Sequence, residues 1–72
     1  PPRRHWSDLT TEDFKRPNVG ERIAVLPVAA IEQHGPHLPL ATDTIIADGH
    51  VARTVELLPD TLPVVSLPTQ AL

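Results

Sequence analysis

The run RIAVLPVAAI, residues 22–31, decides how the rest of the chain is read. It is almost continuously apolar and carries several β-branched side chains, the pattern of a strand buried on both faces, as in a parallel sheet. Pro27 has no N–H to give to a ladder, so pairing is expected to be interrupted or to finish near it. Next, HGPHLPLAT (34–42) is a loop by its glycine and prolines. Thr42 or Asp43 can then cap a helix that runs to about Leu58 and stops at Pro59. Ala47, Val51, Val55 and Leu58 share one face of that helix, and Ile45, Ile46 and Ala52 widen the stripe. Asp48, Arg53 and Glu56 lie largely off it. LPVVSLP, residues 62–68, reads as a second short strand, opened by Pro63 and closed by Pro68.

Upstream, LTTEDFKR (9–16) has the marks of a short helix. Thr10 can cap it, Glu12 and Asp13 suit the positive end of its dipole, Lys15 and Arg16 suit the other end, and Pro17 stops it. Trp6 is expected to anchor this helix, whereas Arg3-Arg4 reads as a solvated end. His5 and His50 read as surface residues. The order helix, strand, loop, helix, strand is a βαβ unit behind a short helix, which implies a parallel pair with a right-handed crossover. Two strands do not make a stable sheet. The expected class is therefore α/β, a parallel sheet flanked by helices, of which residues 1–72 supply only the first βαβ portion of a single, incomplete domain.

Composition narrows the function classes. The chain has 72 residues, 40% hydrophobic and 21% charged, with a net charge of −3; neither a disordered acidic tail nor a membrane protein is indicated. No apolar run approaches the roughly 20 residues of a spanning helix. PPRRHWSDLT lacks the apolar stretch of a secretory signal, so the cytoplasm is the expected compartment. Without basic clusters, nucleic acid is not an expected partner. There is no cysteine, hence no disulfide and no thiolate zinc site. One Trp, one Phe and no Tyr leave little to build a core, and unstapled domains of this size are marginal.

A turn needs only the glycine and prolines of IEQHGPHLPLATD (31–43); its acids and histidines need another reason. The stretch follows the first strand and ends at the crossover helix, where open α/β sheets keep their active sites. Glu32 and His34 are two residues apart and project to one side of extended backbone. Asp43 returns at the helix N-terminus, and Pro36 and Pro39 stiffen the path between them. Such nitrogen and oxygen donors suit zinc, manganese or a similar divalent ion. The plainer alternatives are a polar loop at a strand end and, for Asp43, a helix cap. His37 has an orienting or pocket role, or structural hydrogen bonding, open to it.

EQHGPHLPLATDT (32–44) resembles the motif E-Q-H-G-x-H-x-P-x-x-T-D of the creatininase (creatinine amidohydrolase) family. LPVAAI (26–31) and VVSLPTQAL (64–72) resemble the flanking segments, so the likeness spans most of residues 22–72. One departure is Ala29-Ala30, where Gly-Ser or a similar small pair is usual. The resemblance implies an α/β metalloenzyme, often hexameric, with two divalent metals, zinc or manganese. By position, Glu32 would ligate one ion and His34 the other, with Asp43 bridging them. A further His and Glu come from elsewhere, and His37 is a candidate for a catalytic role. Members include creatinine ring-opening enzymes, a formamide-cleaving deformylase and a peptide-trimming enzyme. The expected activity is hydrolysis of a non-peptide or cyclic C–N amide of a small molecule, by a hydroxide activated between the two metals. The contrasting expectation is a non-catalytic truncated or interface fragment that carries part of a metal site.

Overall fold

The computed structural model describes residues 2–72. Three 3-10 turns, Trp6–Asp8, Thr11–Lys15 and Val19–Glu21, precede strands β1 (Ile23–Val25) and β2 (Val28–Ala29), helix α1 (Thr42–Leu57), and strands β3 (Val64–Ser66) and β4 (Gln70–Ala71). β1 pairs with β3 and β2 with β4, both in parallel. The expected βαβ unit is present.

The prolines divide it. The apolar run 22–31 breaks at Leu26-Pro27, and the partner breaks at Leu67-Pro68-Thr69. Two residues on one side therefore face three on the other, and the register slips by one between Val25↔Ser66 and Val28↔Gln70. Main-chain bonds from Leu67 N–H to Val25 (2.8 Å) and from Gln70 N–H to Pro27 (2.9 Å) carry the pairing across the break. Pro68, expected to close the strand, only interrupts it, and β4 follows. Pairing resumes because proline removes one donor while its neighbours keep theirs.

Burial on both faces does not occur. Helix α1 lies over one face, where Val51, Val55 and Leu58 border, with Val25 and Val64, an apolar cavity of about 200 Å³. Ala47, Val51, Val55 and Leu58 are all half-buried, whereas Ile45 and Ile46 are 59% and 53% exposed and Ala52 is exposed too. The buried stripe is narrower than the sequence suggests because three-residue strands offer a narrow floor. The other face has no helix among the described residues. Across the sheet as a whole Ile23, Val25, Leu26 and Val28 stay exposed, Val25 even on the helix side, and among the described residues only Ala29 and Val65 are buried apolar residues. The Cα radius of gyration is 14.7 Å, against about 11 Å for a compact domain of this length. No helix among the described residues is long and apolar enough to cross a membrane.

The N-terminal segment departs most from expectation. The helix over residues 9–16 is a five-residue 3-10 turn, too short to repay α-helix nucleation before Pro17. Thr10 is its N-cap, and the buried Asp13 carboxylate accepts from the Thr10 N–H at 2.8 Å. Trp6 packs edge-on against Phe14, ring centroids 5.1 Å apart. Arg3 pairs with Asp13 at 3.6 Å. Arg4 is not solvated: it is 9% exposed and donates to the carbonyls of Pro59 (2.8 Å), Val64 (3.1 Å) and Leu62. The Pro59 and Leu62 carbonyls also accept main-chain bonds from Leu62 N–H (3.0 Å) and Val64 N–H (2.9 Å), so Arg4 adds a second donor to each and ties the connection after α1 to the first residue of β3. The Arg4 carbonyl in turn accepts from Ser66 N–H, which places residues 4–5 beside β3 on the side away from β1.

Candidate metal centre

The stretch after β2 folds back on itself. Glu32 N–H donates to the Leu40 carbonyl at 3.1 Å, and His34 bridges to Leu38 in antiparallel fashion. Gly35-Pro36-His37 makes the turn, with Gly35 at φ 76°. That left-handed backbone is open to glycine at no steric cost, and Pro36 then fixes the next φ. Glycine and proline here do more than connect: they return the chain so that α1 starts next to β2.

Neither Thr42 nor Asp43 caps α1. Ala41 is the N-cap and no side chain bonds the open N–H groups. The Thr42 hydroxyl donates back to the Pro39 carbonyl at 2.6 Å. Asp43, in the first turn, is free to face His34, and a carboxylate there complements the helix dipole. The structure thus brings Glu32, His34 and Asp43 together, each offering one donor atom, all within 4.8 Å of one another.

Asp43 Oδ1 lies 3.0 Å from His34 Nε2, and the Glu32 carbonyl lies 2.8 Å from His34 Nδ1. A carbonyl only accepts, so Nδ1 carries a hydrogen; the Asp43 carboxylate likewise accepts from Nε2 while His34 is charged, and Nε2 is the nitrogen whose lone pair can hold an ion once that proton leaves. The main chain of Glu32, and no side chain of the turn, fixes this tautomer. A motif read as side chains hides that signal. With both ring nitrogens facing oxygen, the His34 pKa is raised. The Glu32 carbonyl is the largest cause, partial burial opposes it, and the Asp43 carboxylate and then the Glu32 charge add to it.

The donor set fits a divalent ion of the zinc or manganese kind. Two bonds of about 2.1 Å span at most about 4.2 Å end to end. The cluster is slightly wider than that, and exposed Glu32 has the rotamer freedom to close the difference. His37 stays outside the group: it is exposed, and its ring lies beside Gly35.

The family model for creatinine amidohydrolase matches residues 7–72. The chain belongs to the creatininase family. Among curated proteins, it is 68% identical over 31 residues to the mycofactocin precursor peptide peptidases of two Mycobacterium tuberculosis strains, CDC 1551/Oshkosh and H37Rv. It is 53% identical over 34 residues to the protein of that name from Mycolicibacterium smegmatis. The matched stretches cover 43–47% of this chain but only 12–14% of those relatives. No solved structure matches. Membership of the creatininase family sets the turn and its three donors in a group of metal-dependent enzymes.

Proposed function

We propose that the complete protein, of which this chain is the first βαβ portion, is a metal-dependent amidohydrolase that uses Glu32, His34 and Asp43 as metal ligands. The observation that carries the reading is the convergence of those three donors in a creatininase-family chain. Glu32 would hold one ion and His34 the other, with the Asp43 carboxylate shared between them; a His and a Glu from outside these residues would complete the set. Divalent ions bound there would supply a water of lowered pKa and Lewis-acid polarisation of the scissile carbonyl.

The rest is done by this chain's own groups. The Glu32 carbonyl keeps the hydrogen on Nδ1 and so keeps Nε2 aimed at Asp43. The start of α1 fixes Asp43 relative to the turn. His37, the other titratable group of the turn, is the candidate for orienting substrate. Exposed Leu40, Ile45 and Ile46 around the site would be covered in a homo-oligomer, a hexamer by family resemblance.

The substrate reading has two forms. The motif alone suggests a non-peptide or cyclic amide. The relatives are named as peptidases of a precursor peptide, and the 68% identity over 31 residues favours a peptide amide for this chain as well. The test uses the complete protein loaded with zinc or manganese, assayed on creatinine, a formamide and a peptide. Cleavage of one class, abolished by chelation, is expected. Asp43→Ala is expected to lower kcat/KM by about 100-fold or more while losing metal. A variant that keeps both metals and near-normal turnover refutes the bridging role. A complete sequence lacking the further His and Glu favours the contrasting reading, a non-catalytic fragment.

A further inference from the structure

Two cavities lie beside the residues that lead into β1 and β3, at the strand ends opposite the Glu32–His34–Asp43 group. Arg16, Arg22 and Pro63 border both. One, of about 260 Å³, also meets Arg3 and Asp13; the other, of about 420 Å³, meets Glu21. Either has room for a small ion with its waters. The charges do not balance. Asp13 is taken by Arg3 and by the Thr10 N–H. Among the described residues, neither Arg16 nor Arg22 forms an ion pair. Arg22 Nη1 is shut off from solvent with no hydrogen-bond partner. A charged donor left dry and unpaired is costly; the Arg22 side chain borders both cavities, and turning its guanidinium toward an acceptor in either one would remove that cost.

We propose that the Arg16–Arg22 cavities form a binding site for a soluble oxyanion, a phosphate or a carboxylate. Guanidinium groups present paired N–H donors that match oxyanion oxygens, and do so best where water is partly excluded. The site is separate from the metal centre, so it neither depends on the amidohydrolase reading nor tests it.

The experiment titrates the complete, metal-loaded protein with inorganic phosphate and, separately, with acetate, in a low-salt chloride buffer, followed by calorimetry. One saturable site is expected, weakened at least tenfold in Arg22→Gln and in Arg16→Gln, with metal content and turnover unchanged. Whichever anion binds more tightly identifies the oxyanion class. Arg22→Lys, which keeps the charge but loses the fork, covers the case in which the glutamine variant fails to fold; it too should bind at least tenfold more weakly. Absence of saturable binding by either anion overturns the proposal, as does equal binding by the variants. Loss of metal together with the anion would place the anion at the metal centre and overturn it as well.

Discussion

Gly35→Ala tests whether the turn builds the site. At φ 76° the residue lies in left-handed space, which costs an L-amino acid about 1–2 kcal/mol. A Cβ at this position would meet nothing nearer than His37 Nδ1 at 3.8 Å, so the cost is conformational and has no steric part. Alanine also restricts the unfolded chain, worth about 0.4–1 kcal/mol in its favour, which leaves a net of about 1 kcal/mol against it. The loss can appear in either of two places. If the turn holds, unfolding of the metal-free protein becomes easier by about 1 kcal/mol. If the turn relaxes, His34 leaves the Glu32 carbonyl and Asp43, and metal affinity drops about fivefold. Urea unfolding without metal and calorimetric zinc titration of the complete protein read the two separately. Gly35→Asn, which tolerates this backbone better, should lose less. If both losses together stay below about 0.5 kcal/mol, within the range of neutral surface changes, the turn does not position the donors.

Other outcomes follow from the same geometry. Arg4→Ala removes three charge-assisted bonds, although the Pro59 and Leu62 carbonyls keep main-chain donors, and should cost about 2–3 kcal/mol in urea unfolding, given about 1.5–3 kcal/mol for a bond to a charged group and poor additivity; a loss under about 1 kcal/mol would mean that water replaces the guanidinium. The His34 pKa is raised above 6.5, so the stability gained from its charged form is complete below 6.5 and is lost as pH rises through the folded value. An ion at Nε2 must displace that proton, so zinc affinity should climb as pH rises through the same window; a flat profile over about pH 6–8 would contradict this. Asp13 has the opposite sign. Its carboxyl is held below 3.8 chiefly by the Thr10 N–H, with burial opposing and Arg3 assisting, so the stability it adds is present above 3.8 and lost as pH falls through the folded value. Asp13→Asn should remove that part of the acid profile. The isolated chain should bind divalent metal weakly, since three ligands leave the sites open, and tight stoichiometric zinc binding by calorimetry would contradict this.

The sequence announces features that depend on neighbouring residues. Pro27 breaks the strand where its missing N–H says it must, and the four-residue stripe from Ala47 to Leu58 faces the sheet. The spacing of Glu32, His34 and Asp43 gathers them through one turn and one helix start. Features that depend on distant partners are not written locally. Arg4 looks like a solvated end until the chain from Pro59 to Val64 returns beside it. β4 is two residues without a strand pattern, and it exists because β2 offers unpaired groups. Thr42 and Asp43 are good caps by type, but each found a different acceptor or partner. Ile45 and Ile46 continue the apolar stripe in sequence, yet nothing among residues 2–72 lies over them.

The two kinds of contact also differ in when they can form. Every bond that shapes the turn, from Glu32 N–H to the Asp43 carboxylate, joins residues no more than nine apart. The strand pairs join residues about 40 apart, and closing a loop of that length is slower than making a turn or a helix. On a chain emerging from the ribosome, the donor atoms therefore meet before any strand has found its neighbour. A cation arriving at that stage would hold the hairpin to the helix start while the sheet assembles around them.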